Sequence, residues 1–91
     1  MGLLGARRGG ASSPPVLLER CGSVHTFGMR VRIDVALVDG RGRVLLSRRG
    51  VPSGRLLSAR GAVAALERLS SPFPWPLEGE RLAIPNLLRG S

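Results

Sequence analysis

Hydrophobic and polar positions alternate from Arg30 onward. Val31, Ile33, Val35 and Leu37 fall on one side of an extended chain, with Arg30, Arg32, Asp34, Ala36 and Val38 on the other. A period of two, rich in β-branched residues, predicts a strand with one buried face. Asp39, Gly40, Arg41 and Gly42 come next, and aspartate and glycine tolerate the backbone angles of a tight turn. Alternation then resumes over residues 43–49, setting Val44 and Leu46 against Arg43, Leu45 and Ser47. Two alternating runs joined by such a turn predict a β-hairpin.

The flanking segments are less regular. Residues 1–8 predict one short helical turn, and residues 9–15 a loop, because Pro14 and Pro15 block helix. The apolar run at 16–20 predicts a short strand, interrupted by Gly22 and Ser23. Residues 50–54 form a second turn. Between 55 and 70 the pattern is ambiguous. Leu56, Ala59, Val63, Leu66 and Leu69 recur near helical spacing and alanine favours helix, whereas Gly61 interrupts it. Residues 71–76 predict a proline-broken loop, with room for one tight helical turn carrying Trp75. A turn and a final short strand over 79–84 precede a tail at 85–91.

Composition narrows the class. The 91 residues suit one small domain that buries roughly two thirds of its unfolded surface. Thirteen glycines and seven prolines favour turns over long helices. Phe27, Phe73 and Trp75 are the whole aromatic complement, so aliphatic side chains must fill the core. No apolar stretch approaches the ~20 residues of a membrane-spanning helix, and the N-terminus carries no secretory apolar region. Cys21, alone, excludes an internal disulfide and fits a reducing, cytoplasmic setting. The net charge is +8 and all 14 basic residues are arginine. Such a surface attracts polyanions. The arginines are spread along the chain instead of forming one block, which a general compositional bias also explains.

Candidate chemistry gathers at 21–34. His25 has a side chain that titrates near neutrality, fit for a general base or a metal ligand. With Cys21 it makes only two donors, too few for a structural zinc site. The plain alternative is a histidine bonded to backbone beside the hairpin. Asp34 puts a carboxylate within an apolar strand, costly unless paired. Arg32, two residues away on the same face, is a ready partner, and a cleft acid is the functional alternative. His25 and Asp34 differ by an odd number, so a regular strand points them apart. A shared site requires a bend at Gly28. Cys21 beside Arg20 is a candidate reactive thiol or a small hydrophobe. No P-loop and no G-x-S-x-G elbow is present. Trp75 reads as a core plug rather than a stacking group.

Ser23 to Arg30 (Ser-Val-His-Thr-Phe-Gly-Met-Arg), followed by Ile33, Asp34 and Val35, and then by Asp39, Gly42, Arg43 and Val44, resembles the uncharacterised DUF192 family. Gly54-Arg55, the run at 60–67, the segment at 73–82 and Gly2-Leu3-Leu4-Gly5 extend the resemblance over about residues 2–84. Val31-Arg32 departs from the family's Phe-Pro, and Arg41 stands where an acidic residue is common. The resemblance implies a mostly β domain over 1–84, a small compact sandwich or barrel-like sheet with one or two short helical turns. It tips 60–69 toward strand. It also implies a strand ahead of Gly2 that is missing here, which leaves an open sheet edge and invites pairing with another chain or a dimer.

No complete catalytic set emerges, and no cofactor or metal is implied. The leading expectation is a noncatalytic module binding a small ligand or a protein, its groove lined by His25, Thr26, Phe27, Met29 and Asp34. The alternative is a nucleic-acid or polyanion binder using Arg30, Arg32, Arg43, Arg48 and Arg49 on the hairpin, without the aromatic platform of single-strand binders.

Overall fold

The computed structural model describes residues 14–28 and 30–83. The expected turn at 1–8, the Gly2–Gly5 element, Met29 and the tail at 85–91 lie outside the described residues. Six strands form in chain order: β1 (Leu17–Glu19), β2 (Ser23–His25), β3 (Ile33–Val38), β4 (Val44–Val51), β5 (Leu56–Ser58) and β6 (Ala64–Leu69). β1, β6, β3 and β4 make a four-stranded sheet in that order, and β2 and β5 make a separate two-stranded one. Every pairing is antiparallel. The described residues form a small all-β domain, the expected mostly β class without its helical turns.

Three layers account for the core. On one face of the large sheet, Ala36, Val38, Val44, Ala64 and Leu66 pack with Trp75. On the other, Ile33, Val35, Leu37, Val51 and Ala65 pack with Val24 of β2, and Leu57 of β5 lies against them. The large sheet is therefore the middle layer. This changes the reading of β3. Alternation predicted one buried face, but all six residues of β3 are buried. As the third strand of four, with a layer on each side, it has no solvated face.

Segment 56–69 is two strands and no helix. Gly61, at φ +91°, takes the chain through the turn from β5 to β6. Ala64, Ala65 and Leu66 are buried on alternate sides of the sheet, and filling both layers outweighs the helical preference of alanine. No helix occurs among the described residues, hence none long and apolar enough to cross a membrane. The tight helical turn expected at Trp75 is absent. Pro72, Pro74 and Pro76 each lack an N–H and disfavour helix in the residue before them. Over 79–83 the expected final strand reduces to an isolated bridge between Arg81 and Arg43; Ile84 lies outside the described residues.

Two β-bulges on β4 redirect side chains. Leu37 pairs with Leu46, but Val38 pairs with Val44, so Leu45 is an extra residue. Val44 and Leu46, expected on one face, consequently enter opposite layers. Further along, Ile33 pairs with Val51 and Val35 with Arg48, so Asp34 faces two residues, Arg49 and Gly50. Gly50 takes φ +63° there.

The hairpin turn forms as expected. Asp39 Oδ1 accepts the N–H groups of Arg41 and Arg43 at 2.9 and 3.0 Å. Segment 76–82 then covers the outer edge of β4. The Val44 N–H donates to Glu80 O, and the Leu82 N–H to Gly42 O, both at 2.8 Å. Ser47 Oγ donates to Pro76 O, and its N–H to Glu78 Oε2. β1 is the other edge, with no strand on its outer side among the described residues.

Candidate functional site

The chain does bend at Gly28, at φ +82°. The bend does not bring His25 beside Asp34. β2 lies over the Val35 and Leu37 face of the large sheet, whereas Asp34 alternates with them and points into the Trp75 layer. The large sheet stands between the two groups.

Asp34 is fully buried and fully engaged. Its partner is Arg68, directly opposite in the β3–β6 register, with Nε 2.8 Å from Oδ2. Oδ1 accepts the Gly50 N–H at 2.9 Å, and the Ser71 N–H approaches Oδ2 at 3.4 Å. Burial alone would raise this carboxyl. Hydrogen bonds from Gly50, Arg68 and Ser70, with the Arg68 charge, outweigh burial and hold it below the usual carboxylate range. Arg32, the neighbour expected to pair with it, donates instead to Gly50 O at 2.8 Å. The Arg68 guanidinium also lies over the Trp75 ring, 4.6 Å from its centroid, and donates to Pro74 O and Phe73 O. Trp75 Nε1 donates to Val35 O at 3.2 Å. The group is a structural keystone that clamps the proline loop onto the sheet.

Thr26 is likewise committed to the fold. Its Oγ donates to Pro52 O at 2.8 Å and accepts the Arg55 N–H at 2.9 Å, in a fully buried position. That leaves the outward side of residues 23–27. Alternation along β2 sends Val24 and Thr26 inward and Ser23, His25 and Phe27 outward. Across the strand pair, Ser23 opposes Ser58 and His25 opposes Leu56. The His25 and Phe27 rings stack at 5.7 Å between centroids, 23° from parallel. Phe27 is 63% exposed and Leu56 64%. The result is an aromatic and aliphatic patch with a serine pair at one end. Leu56 was not among the expected ligand residues; it opens the segment whose periodicity is ambiguous between helix and strand.

The arginines divide in two. Arg48 pairs with Glu78 at 2.8 Å, and Arg49 donates to Ser71 O and Phe73 O. With Arg32, three of the five expected polyanion contacts thus bond neighbouring segments, although all five, Arg30 and Arg43 included, are exposed. Cys21 is half-buried, and burial, then Glu19, pushes its thiol up, away from the reactive thiolate. No cluster of three or more metal-ligating side chains occurs among the described residues. Comparison with protein-family models, curated proteins and solved structures returns no significant match.

Proposed function

We propose that this chain is a noncatalytic binding module of the DUF192 type, acting in the cytoplasm, that takes a small ligand or a protein surface on the outer side of β2 and β5. The observation that carries this reading is the exposure of His25, Phe27 and Leu56 as one stacked, cross-strand patch. A small domain short of aromatics leaves this ring outside its core, although burying a phenylalanine is worth about 1.5–3 kcal/mol. Exposed aromatic rings beside polar groups are typical anchors of recognition surfaces. Asp34 and Thr26 support the reading indirectly, since the groups that looked chemical are spent on the fold.

The test is an amide and side-chain NMR shift map against a panel of heteroaromatic fragments and apolar peptides. Shifts centred on His25, Phe27 and Leu56, abolished in Phe27→Ala, are expected. A panel whose only shifts fall away from the β2–β5 surface sinks the proposal. The second reading, polyanion binding, rests on the +8 charge. It predicts that affinity for a short single-stranded oligonucleotide falls steeply with salt, with a log–log slope of about −0.7 per phosphate neutralised. Salt-independent binding would argue against it.

A further inference from the structure

The charges of this chain are sorted between its layers. Its acidic side chains are Glu19, Asp34, Asp39, Glu67, Glu78 and Glu80. Asp34 is buried against Arg68, and Asp39 closes the hairpin turn. Glu78 pairs with Arg48, and Glu80 accepts the Leu77 N–H, both in the segment that covers β4. Glu19 and Glu67 belong to β1 and β6 of the large sheet. None comes from β2, β5 or the loops that flank them. Residues 21–32 and 52–63 carry Arg30, Arg32, Arg55 and Arg60 and no aspartate or glutamate. Segments 1–13 and 84–91 add only Arg7, Arg8 and Arg89 to the count of charged side chains, so they supply no carboxylate side chain either.

The exposed patch of His25, Phe27 and Leu56 sits on this basic layer. The Thr26 N–H donates to Arg55 O at 2.9 Å, so Arg55 stands across from the residue between His25 and Phe27, directly before Leu56. Arg60 follows Ser58 closely on β5's far side, and Arg30 follows Phe27 past the bend at Gly28. All three arginines are exposed. Arg32 is tied to Gly50 O but keeps its charge. The surface thus has an apolar centre and a cationic surround, with the Ser23 and Ser58 pair at one end.

We propose that the partner taken on this surface is an acidic segment of another protein, in which aspartates or glutamates flank an aliphatic or aromatic residue. The inference rests on the reading of the outer side of β2 and β5 as the binding surface. The central side chain of the segment leaves water against Phe27 and Leu56. Carboxylates on either side of it meet Arg30, Arg55 and Arg60, whose forked donors match a carboxylate. An apolar centre with a polar rim is the usual anatomy of a protein interface. The same rim rejects a basic segment, because like charges brought together cost affinity. A single strand of nucleic acid shares the negative charge, but it is held by a succession of rings on which its bases stack. Here one phenylalanine ring, already stacked on His25, lies beside an aliphatic Leu56. That surface suits a side chain better than a row of bases.

NMR titration of the full chain tests this with a set of probes. They are a short synthetic peptide with a central Phe-Leu flanked by glutamates, the same peptide with glutamine at each glutamate, and a single-stranded oligothymidylate. The acidic peptide is expected to shift His25, Phe27 and Leu56. It should bind about tenfold more tightly than the glutamine peptide, as a few exposed ion pairs together supply. Arg55→Gln combined with Arg60→Gln should remove that preference and leave affinity for the glutamine peptide unchanged. Arg55 bonds Thr26 through its backbone, which the substitution keeps. Equal affinity for the two peptides, centred on Phe27 and lost in Phe27→Ala, overturns the acidic partner while leaving the binding surface in place. Shifts from both peptides that fall only elsewhere overturn the inference and the surface together. An oligothymidylate that binds more tightly than the acidic peptide and displaces it from Phe27 gives the surface to nucleic acid, and also overturns the inference.

Discussion

Asp34→Ala is expected to cost about 3–5 kcal/mol, because it strands the Arg68 guanidinium in a dry position beneath the proline loop. Against the roughly 5–15 kcal/mol of a typical domain that is a large share. It corresponds to a fall in Tm of about 12 °C or more at the 4–8 °C per kcal/mol of a chain this size. Urea denaturation monitored by Trp75 fluorescence measures it, and a loss below about 1 kcal/mol would contradict the keystone assignment. Asp34→Leu with Arg68→Met should recover much of the loss, since a packed apolar pair replaces an ion pair without leaving a lone charge. Recovery will not be complete. Arg68 also holds the Pro74 and Phe73 carbonyls, which then turn to water. Acid behaviour follows from the same geometry. The folded Asp34 carboxyl lies below its unfolded value, so its contribution is full above about pH 4. It disappears as the pH falls through the native value. The paired variant should lack that acid-side loss.

Gly42→Ala is expected to be nearly as damaging. Gly42 adopts φ +85°, and an added Cβ would lie 2.3 Å from the Leu82 carbonyl oxygen. The backbone conformation alone costs a non-glycine residue about 1–3 kcal/mol. The overlap must then push segment 76–82 off β4, breaking the Leu82 N–H bond to Gly42 O. The total should reach about 3 kcal/mol or more. Gly28→Ala is the control. It shares a positive φ, +82°, but meets nothing within 4 Å, so only the backbone cost applies. Equal losses in the two variants would show that close packing against Leu82 contributes nothing. A larger loss in Gly42→Ala, with faster exchange at Gly79 and Leu82, is the expected result.

Much of the local structure was legible along the chain. The hairpin of β3 and β4 followed from two alternating runs and an Asp-Gly turn, because those signals act between near neighbours. The candidate site was legible only in part. His25 and Phe27 were singled out, and the structure stacks them on one exposed surface. Asp34 was singled out as well, for the right reason, a carboxylate among apolar residues, but its partner was misplaced. Arg32 was near in the chain, whereas Arg68 is near in the sheet. Leu56 gave no local sign, since it acquires its meaning only from the strand paired across it.

The sequence by itself determined the β3–β4 hairpin, its turn and the short strand at 17–19. Alternation, β-branching and the glycine positions act over a few residues, so they survive without knowledge of the rest. Which faces are buried, by contrast, was decided by the tertiary structure. β3 lost its solvated face because a layer formed on each side of it. Val44 and Leu46 parted because of an extra residue at Leu45, and segment 56–69 became two strands because both layers needed filling. The same assembly chose the ionic partners, since a charge is matched by whatever group folding removes from water beside it. Desolvation and cross-strand register are properties of the folded whole, and no window of the sequence contains them.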